Sequence, residues 1–356
     1  MRMWFRPVKG IAFCIVAAFF GSQAMAQVQV KRSFPSAKRI SAFDNTTFCT
    51  AFLSDGSLLT IRDIPIVDLR DVDKIAFNPT GSSLALMRGK KPVSIYSFRD
   101  RNKKLFELKE QRKSKELKGR KNLNFFVPGP VGAELMKDAS KGDIVPVAMC
   151  YGADARNFLV SNSLGEIIVY DTKAYLPQAY IQGKAVATAI TMSPNNYFIA
   201  AGTGKNIDIW NFQTKELRTS LPMPAEVTEL VFSADASQMA VVTADKRLTI
   251  FDTKTWDKVD IFDKIGGTLT SPSFHPDGKY ISVVKDGNAI VIMNLKNSVP
   301  EQTLDENPGG VTGSRFFVNK QTSDVFMLSN RAKGLVFWDA NGLNPFFGKL
   351  MSKEVE

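Results

Sequence analysis

The sequence is poor in the residues on which much enzyme chemistry depends. It contains one histidine, His275, and three cysteines among 356 residues. A single histidine excludes a histidine-rich metal centre, and a Ser-His-Asp triad would depend on His275 alone. The chain also lacks Cys-x-x-Cys, a Gly-x-x-x-x-Gly-Lys-Ser/Thr phosphate loop and a dinucleotide fingerprint. We therefore predict no catalytic residue, no metal site and no cofactor.

Apolar runs long enough to cross a bilayer are absent as well. The run Ile11–Phe20 is far shorter than the roughly 20 residues that a membrane span needs. Arg2, Arg6 and Lys9 precede it, and the small-residue motif Ala24-Met25-Ala26 follows it. This pattern is typical of a secretory signal peptide. We expect residues 1–26 to be removed after Ala26, and residues 27–356 to be exported to a periplasm or to the cell exterior.

Cysteine is scarce in the mature chain, where only Cys49 and Cys150 remain. A chain of this length buries a large core without disulfides, so their scarcity is physically acceptable. The two cysteines fall in different repeats of the sequence, too far apart for a bridge. We expect both to be small buried residues with free thiols.

The formal net charge of +11 is concentrated in two segments. The signal peptide carries +3, and Arg99–Lys121 carries eleven basic and four acidic residues, which leaves +1 for the rest of the chain. Basicity therefore belongs to one loop. That loop has a single aromatic residue among its charges, Phe106, and offers no stacking platform for bases, so we predict no nucleic-acid partner.

The remaining sequence is organised around one repeated unit, seen most clearly at Leu269–Leu295. Three short apolar runs are separated by Pro276-Asp277-Gly278 and Asp286-Gly287-Asn288, which are typical hairpin turns. The unit is therefore an antiparallel meander. The same order of runs and turns recurs at Ile40–Asp63, Val72–Phe98, Val145–Asp171, Ala187–Phe212, Val227–Asp252 and Val311–Asp339.

The period of these seven units indicates the architecture. Taking the end of each first strand as a marker, the steps are 34, 72, 43, 40, 42 and 43 residues. All but the second suit a four-stranded propeller blade, which repeats roughly every 40–45 residues in one large family. We expect the markers to be mostly buried from the second onward; they are Phe43, Phe77, Met149, Met192, Phe232, Phe274 and Phe317.

The repeats resemble those of the WD40 family. Phe274-His275-Pro276-Asp277-Gly278 stands at a first turn, and Trp338-Asp339 closes a third strand. Trp210-Asn211, Tyr170-Asp171 and Phe251-Asp252 are weaker versions of that pair, and the Gly-His dipeptide of the family is missing. The resemblance covers Ile40–Asp339. It implies an all-β fold, a seven-bladed β-propeller of four-stranded antiparallel blades, and a non-enzymatic protein-interaction scaffold.

The outer strand of the last blade has two candidates. Gln27–Phe34 alternates apolar and polar residues at its start, and a terminal strand commonly closes a propeller by pairing into the last blade, with Val28 and Val30 beside Gly334–Asp339. The alternative is Asn344–Met351. Residues 351–356 are polar and terminal, and we expect them to be frayed.

The long second step places an insertion at residues 99–143, after the second blade. Its first half is basic, and its second half contains an apolar segment beside Pro128-Gly129-Pro130. That segment either folds back onto the propeller or serves as a docking site. The basic half is either a solvated hairpin or short helix, or a surface for an acidic protein or an anionic membrane. Inserted loops on a rigid scaffold often carry function. The predicted partner-binding residues are Arg112, Lys113, Lys115, Lys118, Arg120, Lys121, Phe125, Phe126 and Val127.

Two functions remain open at this point. The first is an interaction scaffold. The second is a small-ligand-binding or carboxylate-based enzymatic propeller with its site at the mouth of the central channel. An enzyme would show converging polar groups and perturbed carboxylates at the channel, whereas a scaffold would show a broad, shallow face.

Overall fold

The described part of the chain consists of β-strands and their connections. The computed structural model describes residues 48–52, 58–62, 72–80, 82–97, 103–108, 144–245, 247–262, 265–304, 310–318, 325–331, 334–340 and 351–353. Every regular element in these ranges is a strand. The described residues therefore contain no helix long and apolar enough to cross a membrane. The all-β prediction is confirmed.

The strands form one two-stranded and six four-stranded antiparallel sheets within the described ranges. The first sheet pairs β1 (Phe48–Phe52) with β2 (Leu58–Arg62). The second and third sheets are β3 (Lys74–Phe77), β4 (Ser83–Met87), β5 (Val93–Ser97) and β6 (Lys104–Leu108), then β7 (Pro146–Tyr151), β8 (Asn157–Asn162), β9 (Glu166–Asp171) and β10 (Pro177–Gln182). The fourth and fifth sheets are β11 (Ala189–Met192), β12 (Phe198–Gly202), β13 (Asn206–Asn211) and β14 (Leu217–Pro222), then β15 (Val227–Phe232), β16 (Gln238–Thr243), β17 (Leu248–Asp252) and β18 (Lys258–Ile261). The sixth and seventh sheets are β19 (Leu269–Phe274), β20 (Tyr280–Lys285), β21 (Ala289–Asn294) and β22 (Val299–Leu304), then β23 (Val311–Val318), β24 (Val325–Arg331), β25 (Gly334–Asp339) and β26 (Met351–Lys353).

Each four-stranded sheet is a meander whose first strand lies on the inside. The first strands of successive sheets contact one another in the order β3, β7, β11, β15, β19 and β23. In the sheets whose side chains are described throughout, the second and third strands are almost wholly buried, whereas the outer strand β14 alternates between half-buried and exposed residues. These sheets are blades of a WD40-like β-propeller. The count of seven blades stays a prediction.

Most of the marker residues occupy the position that the repeat predicted, and two are corrected. Met192, Phe232 and Phe274 are buried, and Phe77 is half-buried. In each turn, the amide after the marker donates to the first residue of the second strand, as from Ser193 N to Phe198 O at 2.9 Å.

The same bond runs from Gly152 N to Asn157 O, so the marker of the third repeat is Tyr151 and not Met149. In the last repeat the strand register assigns the marker to Phe316, which is buried. Phe316 pairs with Met327 across the first two strands of its sheet, as the marker Met192 pairs with Ile199 in the fourth sheet. The predicted marker Phe317 is therefore wrong by one residue.

Two other boundaries differ from the sequence prediction. Lys104–Leu108, predicted to start the insertion, is the fourth strand of the second sheet and pairs with β5. The last sheet takes its outer strand from Met351–Lys353, which was expected to be frayed and which pairs with β25. The first candidate, Gln27–Phe34, lies outside the described residues, as do the signal peptide and Phe43, and of the alternative, Asn344–Met351, only Met351 is described.

The cysteines also lie in different sheets. Cys49 is in β1, and Cys150 is in β7, where its half-buried free thiol packs against the core shared by the third and fourth sheets. Burial raises the pKa of the Cys150 thiol to about 12, opposed in part by a backbone hydrogen bond at Met192. A thiol in this state is an inert core residue and not a nucleophile.

Candidate interaction faces

One edge of the propeller is built from turns closed by Asp and Asn side chains, and we call it the Asx face. In the sheets where these turns are described, it holds the turns between the first and second strands and between the third and fourth strands. In the first kind of turn, a side-chain oxygen accepts a hydrogen bond from the amide two residues on. The pairs are Asp154 with Arg156 (2.9 Å), Asn195 with Tyr197 (3.1 Å), Asp235 with Ser237 (3.0 Å) and Asp277 with Lys279 (2.8 Å).

The second kind of turn explains the Trp-Asp-like pairs of the sequence. The Asp or Asn that ends the third strand accepts from following amides, as Asp252 accepts from Lys254 at 2.7 Å and Thr255 at 3.1 Å. The residue four positions later has a positive φ that completes the turn. These residues are Tyr175 (φ 53°), Lys215 (φ 62°), Trp256 (φ 64°) and Ser298 (φ 56°), after Asp171, Asn211, Asp252 and Asn294.

These turns also shift the pKa values of their carboxyl groups. Backbone hydrogen bonds, the largest from the amide of Ala174, lower the pKa of Asp171. Burial raises the pKa of Asp235, but hydrogen bonds from Ser233 and Ser237 outweigh it and the net shift is downward. A general acid at neutral pH needs a raised pKa. The shifts of these two groups therefore follow from turn structure and point away from acid catalysis at these residues.

Two aromatic residues at the positive-φ positions connect neighbouring sheets beneath the Asx face. The Tyr175 hydroxyl lies 2.8 Å from the Tyr151 hydroxyl and 3.0 Å from Ser83 Oγ in the preceding sheet. Burial raises the pKa of both tyrosines. Trp256 packs edge-on against Phe198 of its preceding sheet, with ring centroids 5.2 Å apart. Tyr175 and Trp256 both end the sequence pattern Asp-Thr-Lys-x-aromatic, at 171–175 and 252–256. This pattern could have identified the two residues from the sequence.

His275 has a structural position, in agreement with its predicted place in a turn. Its amide donates to Tyr280 O at 2.8 Å, and its Nδ1 lies 2.7 Å from Asp277 Oδ1. The ring is buried edge-on against Phe316 and Tyr280, at 5.1 Å and 6.0 Å between centroids. No group of three or more His, Cys, Asp or Glu side chains that could hold a metal occurs in the described ranges.

Two charged side chains of the innermost strands, Lys74 and Glu229, make contacts between sheets. Lys74 Nζ donates to the carbonyl of Val147 in the next sheet at 3.1 Å and to that of Thr188 at 3.2 Å. The Glu229 carboxylate accepts from the amide of Ser271 at 3.1 Å and 3.2 Å. These groups join blades, so their charges are directed at backbone atoms of the fold.

The opposite edge, which we call the link face, holds the turns between the second and third strands and the links between successive sheets. Backbone hydrogen bonds fasten links to turns, including Gly183 N to Gly165 O, Met223 N to Lys205 O and Asp286 N to Thr268 O, each at 2.8 Å. Asp286 also accepts from Thr268 N at 2.7 Å, and backbone bonding there lowers the pKa of its carboxyl group. The loops of the link face that the structure describes are therefore short and rigidly held.

The two ends of the predicted insertion lie on the link face, because residues 109–143 connect β6 to β7. Leu108, the last residue of β6, is paired with Val93, which directly follows the turn between β4 and β5. The structure does not describe residues 109–143. All the predicted partner-binding residues lie there, outside the described residues: Arg112, Lys113, Lys115, Lys118, Arg120, Lys121, Phe125, Phe126 and Val127.

Comparisons with known proteins agree with the fold. No family model matches the chain. It is 24% identical over 147 residues to echinoderm microtubule-associated protein-like 2 of Rattus norvegicus, covering 40% of this chain and 22% of that protein. It is 29% identical over 132 residues to the periodic tryptophan protein 2 homologue of Dictyostelium discoideum, covering 31% of this chain and 14% of that protein. The match to the Schizosaccharomyces pombe homologue is 24% identical over 158 residues and covers 44% and 18% of the two chains.

The matched regions span less than a quarter of these relatives' own lengths. The relatives are WD40-repeat proteins. The chain is therefore a β-propeller protein that resembles the WD40-repeat family at low sequence identity.

Proposed function

We propose that this protein is an exported, non-enzymatic scaffold that binds an acidic protein partner through its link face and the insertion at 109–143. Similarity to WD40-repeat proteins supports a role in protein interaction. The observation that carries the proposal is the difference between the two faces. The Asp and Asn side chains of the Asx face are occupied in closing turns, whereas the link face carries both a long insertion and a surplus of exposed basic residues over exposed carboxylates.

In the proposed interaction, the basic residues of the insertion control the association rate and its apolar residues control the lifetime of the complex. Arg112, Lys113, Lys115, Lys118, Arg120 and Lys121 concentrate positive charge on an otherwise nearly neutral chain. Such charge speeds and orients encounter with an acidic partner, while buried aromatic anchors supply most of the energy that keeps a complex together. In this scheme Phe125, Phe126 and Val127 provide the apolar contact.

Affinity capture from the native envelope tests the proposal. The bait is the purified protein, compared with a variant in which residues 109–143 are replaced by a short Gly-Ser linker. We expect specific acidic partners to be captured by the first bait and lost with the second. Partners that remain bound at equal strength to both would place the interaction on the blades and overturn the role of the insertion.

Two substitution sets separate the parts of the scheme. Neutralising the six basic residues to Gln slows association and weakens its salt dependence, because long-range attraction is lost. Phe125→Ala with Phe126→Ala instead speeds dissociation. Both are measured by surface plasmon resonance at several salt concentrations. An effect of the basic residues on dissociation alone would contradict this division.

Export is tested separately, by sequencing the N-terminus of the protein isolated from its natural source. The signal-peptide pattern of residues 1–26 predicts a mature chain that begins at Gln27. An intact Met1 on protein recovered from the cytoplasm would contradict it.

A further inference from the structure

We infer that five basic residues of the link face form a second docking surface, outside the insertion, for an acidic polypeptide segment. This surface, the basic sector, consists of Arg88, Lys90, Lys91, Lys184 and Lys205. The inference rests on the proposed function and deepens it, since it assigns to the partner a segment of acidic side chains that lies across the second, third and fourth sheets.

The backbone of the basic sector is held in place. Arg88, Lys90 and Lys91 belong to the turn between β4 and β5, which is closed by a bond from Lys91 N to Arg88 O at 3.0 Å. Lys184 follows Gly183, whose amide is bound to Gly165 O, and the carbonyl of Lys205 accepts from Met223 N. Arg88 is half-buried and the other four side chains are exposed. The sector therefore presents cations from rigid supports, which limits the ordering cost of binding.

On the described link face, basic residues outnumber carboxylates in one part only. In the described loops of the second to fourth sheets, the five basic residues are accompanied by two carboxylates, the exposed Asp73 and the half-buried Glu226. In the described loops of the fifth and sixth sheets the signs are mixed, and Arg247 Nε lies 3.4 Å from Asp245 Oδ2. A surplus of one sign on part of a surface directs oppositely charged partners to that part.

Both ends of the insertion are anchored inside the basic sector. The chain enters residues 109–143 after Leu108, paired with Val93 beside the basic turn. It returns at Val145, whose amide donates to Ser163 Oγ at 3.0 Å and whose carbonyl accepts from Ser163 N at 2.8 Å. The insertion thus starts and ends at neighbouring turns of the second and third sheets. A partner captured by the insertion is delivered to the sector.

The surroundings favour an acidic polypeptide over a membrane. Peripheral proteins bind membranes firmly by combining basic charge with inserted apolar side chains. The large apolar side chains that are exposed in the described ranges lie elsewhere: Leu176 and Tyr197 are on the Asx face, and Leu105, Val259 and Val299 are on outer strands. The described part of the link face is basic without such anchors, which suits a segment rich in Asp and Glu.

The test compares two triple variants with the same change in net charge. The first is Lys91→Gln, Lys184→Gln, Lys205→Gln. The control is Lys173→Gln, Lys254→Gln, Lys296→Gln, which neutralises three exposed lysines at turns of the Asx face. The probes are a fluorescein-labelled oligoglutamate peptide, followed by fluorescence anisotropy, and phosphatidylserine–phosphatidylcholine vesicles, followed by co-sedimentation.

We expect the first variant to bind oligoglutamate about tenfold more weakly and with a shallower salt dependence, since each exposed ion pair contributes modestly. The control variant should bind like the unchanged protein. Equal weakening by both variants would mean that only net charge matters and would overturn the inference. Binding to vesicles that depends on Lys91, Lys184 and Lys205, without binding to oligoglutamate, would overturn it in favour of a membrane.

Failure of this inference is distinguishable from failure of the proposed function. If replacement of residues 109–143 abolishes partner capture while the first triple variant binds oligoglutamate normally, the insertion acts alone and the basic sector is not a docking surface. If capture yields no specific partner, the proposed function fails whatever the result with the peptide.

Discussion

The two faces of the propeller use polar residues in opposite ways. On the Asx face, Asp171 and its counterparts point back into their own turns and bind backbone amides. On the link face, Gly183 and Lys205 contribute backbone atoms to the fold, while the side chains of Lys184 and Lys205 are exposed. Asp and Asn side chains close the turns of the first face in addition to backbone bonds, whereas backbone bonds fasten the described links of the second face with support from side chains such as Asp286.

This difference shows where the protein can vary without loss of the fold. A loop held through backbone bonds tolerates almost any exposed side chain, and its length can change between two anchored ends. A turn held by an Asp side chain tolerates neither change. The insertion and the surplus of positive charge both occur on the face that is free to vary, which is where functional loops of rigid scaffolds are expected.

The largest expected effect is on the Asx face, at Trp256. Trp256→Ala removes a buried ring packed on Phe198 and should lower the free energy of unfolding by about 3 kcal/mol. Lys205→Ala on the link face should change it by less than about 0.5 kcal/mol. Urea denaturation followed by tryptophan fluorescence and circular dichroism measures both. Similar decreases in the free energy of unfolding for the two variants would contradict the proposed difference between the faces.

The next effect tests whether the link face is fixed by its backbone. A Cβ atom added at Gly183 would lie 2.8 Å from the carbonyl oxygen of Gly165, so Gly183→Ala must displace the link and should cost about 1–3 kcal/mol. Gly89→Asn is the control, because a Cβ there meets nothing within 4 Å and Asn tolerates its φ of 49°. A neutral Gly183→Ala would show that the link is loose.

A smaller loss is expected from the turns of the Asx face. Asp252→Ala removes the acceptor of two backbone amides and should cost about 1 kcal/mol. Asp252→Asn should cost much less, because Asn211 and Asn294 fill the same position in other sheets. Thermal melting of the unchanged protein, Asp252→Ala and Asp252→Asn measures these differences. Equal destabilisation by Ala and Asn would mean that charge, and not turn closure, is what matters.

The smallest effect is a dependence on pH at Asp171. Its folded pKa is lowered by turn hydrogen bonds, so the stability it contributes is present above its ordinary pKa of about 3.9 and is lost as pH falls through the folded pKa. Because Asp171 is half-buried in a surface turn and solvent screens its charge, the effect is only about a few tenths of a kcal/mol. Asp171→Asn should flatten the loss of stability between about pH 4 and pH 2. An unchanged slope in urea melts across that range would contradict this.

The repeat period predicted most of the fold, and its errors have local causes. In β7, Val147, Met149 and Tyr151 all follow one alternating pattern, so apolarity alone could not show which of them ends the strand. Phe316 and Phe317 are adjacent aromatics and fit equally well by sequence. Only the hydrogen bonds of the turn and the strand register separate these choices.

Two outer strands were not predicted, because charged or polar residues in them obscure the apolar pattern of a strand. Lys104–Leu108 alternates in the way of an outer strand, but it lies within a basic run and was assigned to the insertion. Met351–Lys353 is three residues long and has no apolar pattern. The basic sector could not be predicted either, because Lys91, Lys184 and Lys205 are far apart in sequence and share a face only through the order of the sheets.

Hydrogen–deuterium exchange on the protein bound to a partner captured from the envelope tests directly which face binds. We expect protection of the link face, at residues 88–91, 183–188 and 203–205 together with the insertion, while the turns at 154–156, 195–197 and 235–237 exchange as in the free protein. Protection of the Asx-face turns, with the link face unchanged, would contradict this expectation.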